Sequence, residues 1–162
     1  MLRPMSIGQE QGLHGRLGTF TAGHDISATW DGERLTGRLG SFTAGHDLAV
    51  WFGDGVLEGR VGSFTQGFDL RVGLSATQLH LHLGGFVDGV DAELSFDTEG
   101  ASGRYGTFTA GHDVSLRHFA GEVRGRIGGY TRGVDFRMDL GNVPLPLAVV
   151  VVLAAYHAWP TL

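Results

Sequence analysis

Cysteine and lysine are both missing from the 162-residue chain. Without cysteine there is no disulfide framework, no thiolate metal site and no cysteine nucleophile. Without lysine there is no phosphate-loop lysine and no Schiff-base chemistry, and all twelve cationic side chains are arginine. Charged residues are only 18% of the chain and the net charge is −5. That balance excludes a nucleic-acid partner held by a basic face. The low charge, set against 42% apolar residues, also excludes a disordered chain. The first dozen residues, MLRPMSIGQEQG, hold no apolar run of signal-peptide length, and with the missing cysteine this leads to an expectation of a cytoplasmic location.

What is abundant is glycine, 28 residues of 162, more than twice the roughly 7% of an average chain. The glycines follow no Gly-X-Y register, so collagen is excluded. They mark an internal repeat of 22 residues, present six times without insertion. One glycine column runs Gly18, Gly40, Gly62, Gly84, Gly106, Gly128, and a second runs from Gly23 to Gly133 at the same interval. An aromatic column runs Phe20, Phe42, Phe64, Phe86, Phe108, Tyr130. An aspartate column runs Asp25, Asp47, Asp69, Asp91, Asp113, Asp135.

Apolar residues alternate within each copy, as in Leu48, Val50, Phe52 and then Leu57, Gly59, Val61, which is the period of a strand. A polar turn such as Gly53-Asp54-Gly55 separates the two arms. Folding about it sets Phe52 opposite Leu57, Val50 opposite Gly59 and Leu48 opposite Val61. The sequence therefore predicts an all-β chain of six strand-turn-strand units, in three parts: a lead-in over 1–12, the repeats over 13–140, and a tail over 141–162. Two architectures satisfy the pattern. In a β-solenoid each repeat is one rung of a stack; in a meander each repeat is an antiparallel hairpin. The unvarying period and the aromatic in a glycine-bounded corner favour the solenoid, with the six rings turned inward. The Asp54-Gly55 dipeptide favours the meander. The Gly-rich unit broadly resembles curlin and MORN repeats, and bactofilin scaffolds are similar as short membrane-associated β-helices. None of their motifs matches residue by residue, so the resemblance assigns no roles.

The tail, GNVPLPLAVVVVLAAYHAWPTL, carries no formal charge if His157 is neutral. Its apolar part includes Leu145, Val149, Val150, Val151, Val152, Leu153, Tyr156, His157 and Trp159, with Pro144 and Pro146 only at its start. A helix apolar on all sides has no wet face, so the reading is burial in a membrane or a membrane complex rather than a cap on the repeats. His157 sits at the interface in that reading.

Other columns have structural readings. His24, His46 and His112 alternate with Phe68, Val90 and Val134 in one column, which marks a packing position rather than a metal site. The aspartates cap the corner, paired with Arg16, Arg38, Arg60, Arg104 and Arg126, and with His82 in the fourth copy. The hydroxyl pairs Thr19/Thr21, Ser41/Thr43, Ser63/Thr65 and Thr107/Thr109 look like ice-binding arrays but are broken in the fourth copy, so corner hydrogen bonding is expected of them. No catalytic set, cofactor or metal is implied. The expected function is a non-catalytic scaffold tethered to a membrane by its tail, on the cytoplasmic face. The alternatives are an end-to-end polymer, and a ligand-, ice- or metal-binding module on the Thr, His and Asp columns.

Overall fold

The structure is a computed structural model, which describes residues 12–53, 56–85, 87–107 and 109–162. Twelve strands follow one another: β1 (Leu13–Gly18), β2 (Gly23–Trp30), β3 (Arg34–Leu39), β4 (His46–Gly53), β5 (Val56–Gly62), β6 (Gly67–Leu74), β7 (Gln78–Leu83), β8 (Val90–Phe96), β9 (Gly100–Tyr105), β10 (His112–Phe119), β11 (Glu122–Ile127) and β12 (Val134–Asp139). Each pairs antiparallel with the next, and β12 returns to pair with β1, from His14↔Asp139 to Leu17↔Phe136. The result is a closed barrel, not a solenoid. The hairpin expectation holds in register: Leu48↔Val61, Val50↔Gly59 and Phe52↔Leu57 are all cross-strand partners. The turn residues Asp54 and Gly55 lie outside the described residues.

Closure follows from the one-sided apolar pattern. Leu13, Leu17, Ile26, Leu35, Leu48, Val50, Leu79, Leu81, Leu94 and Val123 all point inward and are buried. A flat sheet would leave that face wet, and closing it also removes both unpaired edges. The outward positions carry Asp, Glu, Arg, His, Ser and Thr, as in Asp69 and Arg71 on β6 or Glu93 and Ser95 on β8. A transmembrane barrel has the opposite polarity, with its apolar band outside.

Twelve strands about 4.8 Å apart and tilted ~40° close a ring roughly 24 Å across. Wall side chains alone do not fill that width. The remainder is filled by the tail. After Leu140 the chain turns inward and forms α1 (Leu145–Ala158), then a 3-10 turn over Trp159–Thr161. Pro144 and Pro146 stand at the helix start, where a missing N–H costs nothing. Ala148 to Ala155 are completely buried, in one core with the barrel lining. Fourteen residues make a helix about 21 Å long, close to the height of a wall of 6–8-residue strands at that tilt, about 15–20 Å. A lumen is apolar on every side, which is the surrounding this uniformly apolar segment requires. Leu145, Val149, Val150, Val151, Val152 and Leu153 thus meet their own barrel. Among the described residues no helix is long and apolar enough to cross a membrane.

The wall leaves room for neighbouring side chains through inward glycines at its waist. A Cβ on Gly59 would lie 2.9 Å from both Leu70 Cδ1 and Val50 Cγ2. Leu81 occupies the same column in the fourth copy and is fully buried.

Candidate functional site: an aromatic crown on one rim

Because the strands alternate in direction, the six loops joining β1–β2, β3–β4, β5–β6, β7–β8, β9–β10 and β11–β12 all lie on one rim. Every one holds an aromatic residue of the repeat column. These rings are not buried. Phe20, Phe42, Phe64 and Tyr130 are 92%, 91%, 94% and 97% exposed, and Val87 projects from the fourth loop in the same way. Phe86 and Phe108 lie outside the described residues. The expected inward stack of rings is therefore overturned. In a solenoid the corner faces a dry interior; in this barrel it is a hairpin tip facing water.

The loops keep their shape without burying the rings. In the second loop Gly40 opens the bend at φ +90°, a conformation that side chains disfavour. A Cβ on Gly45, which closes the bend, would collide with the carbonyls of Leu39 and Ser41. The Ser41 hydroxyl accepts a hydrogen bond from Ala44 N–H (2.9 Å), and Thr19, Ser63 and Thr107 act alike in their loops. The first hydroxyl of each pair is thus the corner hydrogen-bonder expected.

The arginine and aspartate columns form a clamp beneath each loop. Arg38 Nη1 donates to Asp47 (2.9 Å), Nε and Nη2 donate to the Ser41 carbonyl, and Nη2 donates to the Phe42 carbonyl (2.7 Å). Arg16 with Asp25, Arg60 with Asp69, Arg104 with Asp113 and Arg126 with Asp135 repeat the ion pair at 2.6–2.8 Å. A guanidinium presents several donors in a fixed fork, so one side chain can hold a carboxylate and two carbonyls together. In the fourth copy His82 takes that place. Its Nδ1 lies 2.7 Å from Asp91 and its Nε2 lies 3.1 Å from the Gly85 carbonyl. Hydrogen bonding to Asp91 raises the His82 pKa above its usual range, and the same bond lowers that of Asp91.

Inside the rim the C-terminal residues close the lumen. His157 Nδ1 lies 2.7 Å from Tyr105 Oη, and its ring packs edge-on against Phe68. Trp159 meets His24, and His46 Nε2 lies 2.9 Å from Thr161 Oγ1. Burial lowers the His157 pKa and pushes Tyr105 up to about 12, so at neutral pH the phenol donates and the imidazole accepts. Of the column read as packing, His24, His46, Phe68 and His112 meet the C-terminal residues at this mouth, and Val134 packs against the core. Among the described residues no group of three or more His, Asp or Glu stands close enough to hold a metal ion.

The missed feature is the crown itself. The signal was present in the loop sequences, since four exposed residues between two glycines in register describe a hairpin loop as well as a corner. Comparison of the chain with protein-family models, curated proteins and solved structures finds no match, and the geometry of the rim carries the functional reading.

Proposed function

We propose that the chain is a non-catalytic scaffold that docks on the interfacial region of a lipid bilayer through its aromatic crown. The observation that supports this is the set of more than nine-tenths exposed rings on a single rim. The loop segments 19–22, 41–44, 63–66, 85–88, 107–110 and 129–132 contain only two charges, Asp88 and Arg132, which cancel. Their other polar groups are chiefly hydroxyls, and Phe and Tyr flanked by hydroxyls suit the depth where headgroups meet acyl chains. A flat interface engages the exposed tips of Phe20, Phe42, Phe64, Val87 and Tyr130 together without matching any of them in shape. Full burial of one such ring is worth about 1.5–3 kcal/mol, too little to hold a protein alone, but tips on one rigid rim add as linked contacts. The charged wall stays in water. Membrane contact is assigned to the crown rather than the tail because the tail's side chains are already packed in the lumen. The clamp side chains are committed to loop backbone and to one another, which fits a structural role for them.

Co-sedimentation with phosphatidylcholine vesicles tests the reading. The wild-type chain should pellet with lipid, with little change between low and high salt because the loop segments carry no net charge. A triple variant Phe20→Ser, Phe42→Ser, Phe64→Ser should remain in the supernatant while keeping its fold. A wild-type chain that ignores lipid at every concentration, or a triple variant that binds as well, ends the proposal.

A second reading is end-to-end association. The opposite rim also exposes apolar side chains at the strand ends, with Phe119 79%, Phe52 59% and Leu74 45% exposed. A closed barrel offers no strand edge, so contact between copies would run through these side chains. Sedimentation velocity of wild type against Phe119→Ser separates the two: loss of a concentration-dependent larger species supports association, and a monomer in both excludes it.

A further inference from the structure

The fourth clamp differs from the other five in its chemistry. We infer that the loop between β7 and β8 is a proton-gated arm of the crown, locked when both ring nitrogens of His82 carry hydrogen and released when one is lost. The inference rests on acceptors. Nδ1 faces the Asp91 carboxylate at 2.7 Å and Nε2 faces the Gly85 carbonyl at 3.1 Å. Neither partner has a hydrogen to give, because a carbonyl only accepts and the Asp91 carboxyl is held ionised. Both bonds therefore exist together only in the imidazolium. A neutral ring keeps one and turns a lone pair toward the other acceptor. Asp91 holds the proton on Nδ1 in that case, so the bond that fails is the one to the loop.

The surrounding charges agree. On the same strand His80 Nε2 also reaches Asp91, at 3.4 Å, and His80 Nδ1 stands 4.0 Å from Glu93 on β8. On β6 Asp69 is committed to Arg60, while Arg71, the cross-strand partner of His82, opposes the cation and is itself drawn to Glu58 at 3.4 Å. From the lumen side His157 opposes a second positive charge only weakly, being held neutral by burial. The carboxylate and carbonyl acceptors outweigh burial and Arg71, so the ring keeps its second proton to a higher pH than a free imidazole does. The five arginine clamps stay charged on either side of that pH. The fourth loop also has the least to hold it otherwise: Gly85 stands where four of the other copies have a Ser or Thr hydroxyl, and His82 reaches one loop carbonyl where Arg38 reaches two.

This deepens the membrane reading and rests on it only for its consequence, since the lock is measured without lipid. Amide hydrogen exchange of residues 84–89 is followed from pH 5.5 to 8, corrected for intrinsic rate and divided by exchange in the other five loops. The ratio should rise several-fold with a midpoint that tracks the His82 ring resonance, and His82→Arg should abolish the rise. A ratio that stays flat in the wild-type chain overturns the lock, as does a rise of equal size in His82→Arg. Phosphatidylcholine vesicles then read the consequence: binding weaker at pH 8 than at pH 5.5 in wild type, and equal at both in His82→Arg. Failure to bind vesicles at any pH removes the membrane reading while the exchange ratio still decides the lock.

Discussion

Arg38 binds the backbone carbonyl of Phe42 at 2.7 Å while the Phe42 ring stands in solvent. The loop is therefore fixed through its main chain and its side chain is free for a partner. Removing the guanidinium should loosen the loop without touching the core. Arg38→Gln is expected to cost about 1 kcal/mol, the scale of an exposed clamp made of one ion pair and a few hydrogen bonds. Amide exchange over 40–45 should accelerate while β3 and β4 stay protected. Equal protection of that loop in the variant and the wild type would show that the glycine bend alone sets its shape.

The crown and the lumen should respond in opposite ways to truncation. Phe64 buries almost nothing, so Phe64→Ala should change stability by less than about 0.5 kcal/mol. Leu81 is fully buried at the waist, and Leu81→Ala should cost about 2–5 kcal/mol. Urea denaturation of both variants checks this, and a loss of several kcal/mol for Phe64→Ala would place that ring in a dry contact.

These two positions also mark what the amino-acid order reveals. Alternation in Leu48, Val50 and Phe52 against Leu57, Gly59 and Val61 predicts the strand pairs in register, because a period of two leaves one arrangement with all apolar groups on one side. Closure was not legible, since a stack of rungs and a meander of hairpins place the same residues opposite each other within one repeat. The aromatic column was misassigned because a large ring normally needs burial. Here Arg and Asp stabilise the loop and release the ring from that need. The arginine–aspartate pairing itself was readable from the constant nine-residue spacing of Arg38 to Asp47. The tail's uniform apolarity suits lipid and lumen alike, and only the width of a twelve-strand ring distinguishes them.

Two histidines should tilt the pH profile of stability in opposite directions. Burial depresses the His157 pKa, so below the ordinary value of about 6.5 the unfolded chain takes up the proton first. Stability from this residue is complete above that pH and falls as pH drops toward the depressed value. His82 is raised, so its contribution is complete below about 6.5 and falls as pH rises through the folded value. His157→Gln keeps an acceptor for the Tyr105 hydroxyl and does not titrate. Urea midpoints between pH 5 and 8 should lose their acid-side fall in this variant and keep their alkaline-side fall. An unchanged acid limb would mean that His157 is hydrated enough to ionise freely.

Removing the tail tests the architecture most directly. Val149 to Leu153 are completely buried among wall residues of the same core. A chain ending at Leu140 would enclose a dry void wider than its side chains can fill, and large voids collapse or flood rather than persist. The truncated chain is expected to lose its cooperative unfolding transition and its near-ultraviolet circular dichroism, while keeping strand signal in the far ultraviolet. Refolding it with a peptide of residues 141–162 should restore the transition, because the helix enters after the last strand and no wall strand has to be threaded around it. A soluble monomer that unfolds cooperatively without the tail would show that the barrel closes on its wall side chains alone, and that the helix is a passenger rather than the core.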